Sequence, residues 1–474
     1  MRALFRRVLT LALALALWAA APASLAAGPD GAPPPKPPSK PPPQFADRLA
    51  ETLPARMAAD GVPGLVVALV ADGAPVWSRA FGLADPRTGR PMTGDALFRV
   101  ESISKPVAAW GAMRLAETGR LDLDAPVGPC LPGEGPLRDL AALTPRQLLS
   151  HTAGLGLGDY AARHAPGAAM PTLARQIARE VVRIAPPGAR FAYSDTGYAL
   201  LELAMEACGG VDFAPFMTRE VLAPLGMTRA TFDWPGAGMP VGHDLRGRPV
   251  PAYVYPARAS GGLHADAAAI ARFAAAGTAQ AAQTVLSETG VAALHRPVAE
   301  VGGLFGLVAD GYALGHFTET LSDGRAAVWH GGQGHGWMSH VHVVPATGDA
   351  IVILANSQRA WPLFAAILRD WSDSLGVAPV GMARVLWARP AARLAIGALL
   401  ALAGLSAWAV RRRAAHSPPF RLAAAGSGAG LALWPLWAAT RDYLFLVSVL
   451  PALWPWLCVA SALGGGALVT LALV

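Results

Sequence analysis

Lysine is almost missing from this chain. Its 474 residues carry 39 lysines and arginines together, and only three are lysines: Lys36, Lys40 and Lys105. The first two lie in a proline-rich tract, so Lys105 is the only lysine downstream of it. Cysteine is just as sparse, at three: Cys130, Cys208 and Cys458. None forms a C-x-x-C pair, which argues against a structural zinc site. Cys130 and Cys208 could pair in an oxidising compartment or remain two separate buried thiols. Charge is scarce too. Charged residues make up 15% against 53% hydrophobic, so part of the chain is not expected to be soluble. The net charge of +7 comes from scattered arginines, with one triple at Arg411, Arg412 and Arg413. No basic stretch is interleaved with aromatics, which argues against a nucleic-acid partner.

Three regions follow along the chain. The N-terminus has a basic start (Arg2, Arg6, Arg7) and an apolar run over 8–21. Small residues Ser24 and Ala26 come next. This pattern reads as a secretory signal peptide over 1–26, with an uncleaved anchor as the alternative. Residues 27–44 are proline-rich and read as an extended spacer. Residues 45–375 read as globular. "GLVVALVADGAPVWSRAFG" predicts two strands around an Asp72-Gly73 turn. "KPVAAWGAMRLAETGR" predicts a helix ending at Gly119. "HVHVVPATGDAIVILANS" predicts a second hairpin, turning at 346–349, and "AWPLFAAILRDWSDSLG" a closing helix. Strands at both ends and helices between them predict an α/β domain whose sheet is assembled from both termini.

After a linker over 376–392, the segment 393–474 is apolar in three runs, at 394–410, 422–440 and 443–474. Runs of ~20 apolar residues are transmembrane signals, so about three membrane-spanning helices and lipid contact are expected. The third run could also be one helix plus a re-entrant piece. An exported domain sends the first helix inward and delivers the arginine triple and Arg421 to the cytoplasmic side. Arg389 and Arg393 on the outer flank weaken this orientation but are outnumbered.

The chemistry centres on "FRVESISKPVAAW", 98–110. Residues i and i+3 share a helix face, so Lys105 would lie beside the Ser102 hydroxyl. A serine hydroxyl is a poor nucleophile until a base takes its proton. Lysine can be that base because burial lowers its pKa, whereas arginine cannot lose its proton. The one lysine of the globular region thus stands where a removable proton is needed. A helix N-terminus also offers N–H groups to a developing anion.

This stretch is followed by "LTPRQLLSHTAGL" (143–155) and "PPGARFAYSDTGYALLE" (186–202). "PLGMTRATF" (224–232), "PARASGGLHADAAAIARF" (256–273) and "VWHGGQGHGWMSH" (328–340) complete the series. Together they resemble the serine β-lactamase-related family: class C β-lactamases, penicillin-binding DD-peptidases, D-aminopeptidases and related esterases. The resemblance implies a β-lactamase-like fold, an antiparallel sheet flanked by helices plus an all-helical subdomain. It implies that Ser102 is acylated, that Lys105 is its partner, and that Tyr193 shuttles the proton between serine and leaving group. His330-Gly331-Gly332 matches the family's Lys-Thr-Gly element. Gln333 would lend its N–H to an oxyanion hole opposite that of Ser102. Glycines suit a strand edge approached by substrate. His151, in "SHTAGL", is expected to be structural.

Two positions depart from the β-lactamase pattern. Asp195 stands for an asparagine of the Tyr-x-Asn element, and His330 for the lysine that helps hold a β-lactam carboxylate. A histidine of ordinary pKa, ~6.5, would give a weak anchor that strengthens as pH falls. Asp195 near Lys105 would favour the ammonium form, leaving a Tyr193 phenolate to take the serine proton. His340 and His342 would share a strand face, but no persuasive ligand set completes a metal site. No cofactor is implied. The expectation is an exported serine hydrolase anchored in a bacterial cytoplasmic membrane, its catalytic domain facing the periplasm or exterior. Its substrate would be an ester, a D-amino-acid peptide or a β-lactam. A non-catalytic sensor of the same fold is the alternative: it would acylate without turning over.

Overall fold

The computed structural model describes residues 43–131, 135–159, 162–303, 305–412, 416–439 and 445–474. The expected signal peptide and nearly all of the proline-rich spacer lie outside them. The last two spacer residues already begin a helix, α1 (Pro43–Asp60).

A nine-stranded sheet is built from β1 (Gly64–Ala71), β2 (Ala74–Asp85), β3 (Arg90–Pro91), β4 (Ala299–Glu300), β5 (Gly311–Tyr312), β6 (Phe317–Thr320), β7 (Ala326–Gln333), β8 (Met338–Val344) and β9 (Asp349–Ala355). Every pairing is antiparallel, in the order β3-β2-β1-β9-β8-β7-β6-β5-β4. The sheet closes by pairing a strand from each end of the domain, β1 on β9, from Leu65↔Ala355 to Val70↔Ala350. Both expected hairpins form. Asp72 and Gly73 both have positive φ (51° and 73°), the backbone a two-residue turn of matching twist requires. β1, reading GLVVALVA, is buried along its whole length. Its Val66, Ala68 and Val70 join the core that also holds Ile270 and Phe273 of a helix, and alternation turns Leu65, Val67 and Leu69 to the opposite face.

Between β3 and β4 the chain builds the helical subdomain. Its helices include α2 (Ser104–Glu117), α3 (Pro145–Leu149), α4 (Leu173–Glu180), α5 (Asp195–Ala207), α6 (Arg258–Gly261) and α7 (Ala267–Ala276). α2 ends as the sequence predicts, with Gly119 in the left-handed region at φ 70°. Cys130 and Cys208 are joined in a disulfide across the subdomain, their Cα atoms 5.1 Å apart. α8 (Trp361–Ser374) closes the domain and packs on α1.

The stretch expected as a linker, 376–392, is structured. Val377, Val380, Met382 and Ala383 are buried, and α9 (Val385–Arg411) begins inside it. The chain forms two compact units. One runs to Ala388 and takes back the segment ending at Pro451; the other begins at Arg389. The C-terminal part holds α9, α10 (Pro418–Ala439), α11 (Phe445–Val449) and α12 (Trp454–Leu473). Among the described residues two helices are long and apolar enough to cross a membrane, Gly381–Arg411 and α12. α10 covers most of the second apolar run and carries the small residues Gly426, Ser427, Gly428 and Gly430. Those small residues serve packing. A Cβ on Gly428 would fall 2.7 Å from the Gly465 carbonyl oxygen, so α10 and α12 touch backbone to backbone. They run antiparallel: Arg421 Nε donates to the Ala472 carbonyl (2.7 Å) and Trp434 Nε1 to Ser461 Oγ (3.0 Å).

Candidate active site

Ser102 lies in a 3₁₀ turn, Glu101–Ile103, that leads directly into α2. The residue before it, Glu101, has φ 50°, an uncommon conformation for a side chain with a Cβ. Its buried carboxylate is held by Arg99 Nε (3.0 Å), Tyr253 OH (2.8 Å) and Tyr255 OH (3.2 Å). These bonds fix the turn that presents Ser102. Lys105, one turn along α2, is fully buried. Its Nζ donates to Ser102 Oγ (3.2 Å), to Asp195 Oδ1 (2.6 Å) and to the Ser260 carbonyl (2.8 Å). Burial pulls the lysine below its ordinary pKa, and Asp195 and Glu101 push back without restoring it.

Tyr193 and Asp195 flank Ser194, the N-cap of α5. Ser194 Oγ accepts from Gly197 N (2.9 Å) and donates to the Gly156 carbonyl (2.6 Å). His151, buried with φ 56°, accepts from Ser194 N at Nδ1 (3.1 Å), and its ring lies 4.3 Å from that of Tyr193. It packs between the Ser194 backbone and the Tyr193 ring. Tyr193 packs below Lys105, whose Nζ is 4.9 Å from the ring centroid. Burial first, and the Asp195 charge second, push the phenol well above its ordinary pKa, while a hydrogen bond with Ser102 works the other way. Burial thus works against the expected Tyr193 phenolate. The carboxylate that holds a proton on Lys105 also opposes an anion on Tyr193.

From His330 to Gln333, β7 pairs with β8 alone, because β6 pairs only as far as Trp329. The free edge faces the nucleophile turn. A Cβ on Gly332 would sit 2.3 Å from the Val100 carbonyl oxygen, and one on Gly331 2.6 Å from the Trp361 ring. The glycines thus answer to the protein's own packing as well as to any approaching substrate. Ser339 Oγ bonds the Val100 carbonyl (2.6 Å) and clamps β8 to the same turn. Gln333 lines one cleft with Ser102 and Asp195, and its Oε1 accepts from Trp361 Nε1 (2.7 Å) and Ser448 Oγ of α11 (3.3 Å). His330 corrects a second expectation. It is buried, its Nε2 is 3.2 Å from Tyr312 OH and its Nδ1 2.8 Å from the Gly331 carbonyl. Burial and the nearby Lys105 hold it well below 6.5, so it does not become a cationic anchor on mild acidification.

His340 and His342 share a face of β8 as expected, with Nε2 and Nδ1 3.4 Å apart. They are buried, with His342 Nε2 3.1 Å from Glu319 Oε1. Among the described residues no group of three His, Cys, Asp or Glu is arranged to hold a metal ion.

The geometry gathers a buried lysine, a tyrosine and a glycine-bearing strand edge around a serine that opens on a cleft. A β-lactamase family profile matches residues 49–371. The chain belongs to the β-lactamase family. Penicillin-binding protein 4 of Amycolatopsis lactamdurans is 29% identical over 327 residues, 65% of this chain and 84% of that protein. Esterase EstB of Burkholderia gladioli is 29% identical over 352 residues, 62% of this chain and 86% of its own length. Among solved structures, the octameric penicillin-binding protein homologue from Pyrococcus abyssi superposes with a TM-score of 0.61 at 23% identity, over 73% of this chain and 80% of that one. The family makes this chain a serine hydrolase of the β-lactamase-related kind with the corresponding α/β fold.

Reading the sequence missed several participants. Glu101 is inconspicuous until its positive φ and three partners are seen. Ser260 enters through its backbone carbonyl, which no side-chain pattern announces. Glu202 supports that carbonyl: it accepts from Arg258 Nε (2.9 Å) and Ala259 N (2.7 Å), fixing the four-residue α6 that carries Ser260.

Proposed function

We propose that this chain is an exported, membrane-anchored hydrolase that works through an acyl-enzyme on Ser102. The observation that carries the reading is the fully buried Lys105 with its Nζ 3.2 Å from Ser102 Oγ and its pKa lowered by burial. Ser102 Oγ attacks the acyl carbonyl while its proton passes to Lys105. The carbonyl oxygen becomes an anion received by the N–H groups of Ser102 and Gln333. The neutral Tyr193 hydroxyl relays a proton to the leaving oxygen or nitrogen, and the acyl bond to it breaks. Water repeats the sequence in reverse roles, cleaving the acyl-enzyme and returning the proton to Ser102.

On the substrate, the reading favours neutral esters or peptides over anionic β-lactams. Burial and the nearby Lys105 disfavour a charged His330 imidazole, and Asp195 adds a carboxylate to the cleft. The relatives' names, a penicillin-binding protein and an esterase, span both sides of that choice. Export is supported by the signal-like N-terminus and by the Cys130–Cys208 disulfide, which suits an oxidising compartment. Anchoring is supported by the two long apolar helices.

The test uses the full-length protein in detergent. A fluorophosphonate probe should label Ser102, identified by mass spectrometry of the peptide, and a p-nitrophenyl ester should be turned over many times per enzyme. Labelling that persists in Ser102→Ala overturns the nucleophile assignment. A single burst without turnover favours a sensor that acylates and stops.

A further inference from the structure

The cleft is a site because it holds Ser102; the charge of its walls decides what enters. Among the described residues its lining includes four carboxylates, from Glu101, Asp159, Glu180 and Asp195, and no arginine or lysine. Asp195 is matched from behind by Lys105 (2.6 Å) and Glu101 by Arg99 (3.0 Å). Glu180, at the end of α4, has no cationic neighbour within ion-pair distance among the described residues. Neutral donors hold its carboxylate in place: Asp159 N (3.1 Å), Gln176 Nε2 (3.4 Å) and Thr196 Oγ1 (3.2 Å).

A second, independent observation points to a donor-bearing ligand. Gln176 lines the same cleft, and its Oε1 is buried without a hydrogen-bond partner. The bond from Gln176 Nε2 to Glu180 fixes the amide so that the oxygen, an acceptor, is the atom left unmatched. A buried acceptor beside a carboxylate is complementary to a group that carries several N–H donors and a positive charge, and such a charge would offset the burial that raises the Glu180 pKa. We propose that the substrate carries a protonated primary amine, which Glu180 and Gln176 receive while the acyl carbonyl reaches Ser102. A carboxylate-lined cleft draws cations in and repels carboxylates. The proposal rests on the serine-hydrolase reading and narrows its substrate class to amine-bearing esters or amides.

The test compares glycine p-nitrophenyl ester with N-acetylglycine p-nitrophenyl ester on the full-length protein, each corrected for spontaneous hydrolysis. The pair differs at the amine and avoids any question of handedness. The expected kcat/KM ratio favours the free amine at least tenfold, the scale of one charge-assisted hydrogen bond. Glu180→Gln should cut that ratio at least tenfold. Equal or better use of the acetylated ester by the wild type overturns the assignment, as does an undiminished ratio in Glu180→Gln. A measurement without turnover reads the same point: glycinamide, but not N-acetylglycinamide, should slow fluorophosphonate labelling of Ser102. Equal protection by the two amides overturns the amine assignment alone. Failure of Ser102 to label overturns the hydrolase reading and the amine proposal with it.

Discussion

The pairing of Lys105 with Asp195 sets two opposing demands on one proton. Burial drives the ammonium toward its neutral form, and a carboxylate 2.6 Å away holds the proton on. The balance stays on the side of a lowered pKa, which keeps the lysine usable as a base. Two substitutions separate these effects. Lys105→Arg keeps the charge but cannot release a proton, so the rate of Ser102 labelling should fall by a factor on the order of 10²–10⁴, the usual worth of a positioned general base. Asp195→Asn removes an influence that raises Lys105. The lysine then loses its proton at lower pH, and the limb of labelling rate that rises with pH should move to lower pH. Stopped-flow labelling across pH 5–10 reads the position of that limb independently of its height. A shift to higher pH would mean that Asp195 acts through geometry and not charge. Ser102 and Lys105 were legible in the sequence because residue type and spacing are local. The lowered pKa of His330 and the raised pKa of Tyr193 were not legible. Both come from burial, which a one-dimensional pattern does not contain.

Among the elements, hairpins and long helices were legible and short supporting pieces were not. Asp72-Gly73 and the buried run of β1 state their structure locally. α6 does not: four residues cannot sustain a helix, and RASG acquires its shape from Glu202 on α5. That clamp holds the Ser260 carbonyl on Lys105 Nζ. Burial pushes the Glu202 carboxyl up to about 7, against the pull of Arg258. The sign follows from the raised folded-state value. Between pH 4.5 and about 7 the unfolded chain ionises this group while the folded chain resists, so the group's contribution to stability is full below pH 4.5 and is lost as pH rises through about 7. Glu202→Gln does not titrate. Its melting temperature should change less between pH 5 and 7 than that of the wild type. At pH 7 the variant should be less stable by ~1–3 kcal/mol, because a carboxamide N–H faces the Arg258 guanidinium. Parallel pH slopes for the two proteins would show that the Glu202–Arg258 pair stays ionised throughout.

At the scale of the whole molecule, the connectivity constrains the side of the membrane on which each end lies. The segment around α11 belongs to the same compact unit as the hydrolase domain, through contacts that include Ser448 Oγ to Gln333 Oε1 at 3.3 Å. α10 and α12 run antiparallel, and Arg421 near the start of α10 lies beside Ala472 near the end of α12. α9 leaves the domain and ends at Arg411, with Arg412 and Arg413 following. If α9, α10 and α12 each cross the bilayer in turn, as the membrane reading proposes, the arginine cluster and Arg421 are expected on the side opposite the domain, the distribution that positively charged loops favour toward the cytoplasm. α10 is the weak link, since its glycines and serine would insert poorly alone, but its backbone contact with α12 at Gly428 and Gly465 lets the two cross as a pair. The expected result is opposite-side signals from reporter fusions after Pro379 and after Ser417. A phosphatase reporter should be active only at Pro379 and a cytoplasm-dependent fluorescent reporter only at Ser417. Replacing Gly428 by Leu should leave the Ser417 fusion unchanged and cause a reporter fused at the C-terminus to lose its cytoplasmic signal in part of the population, because separating α10 from α12 removes the partner that carries it across. Same-side signals at Pro379 and Ser417 would mean that α9 lies along the surface, and the arginine cluster would then mark contact with anionic headgroups instead of a crossing.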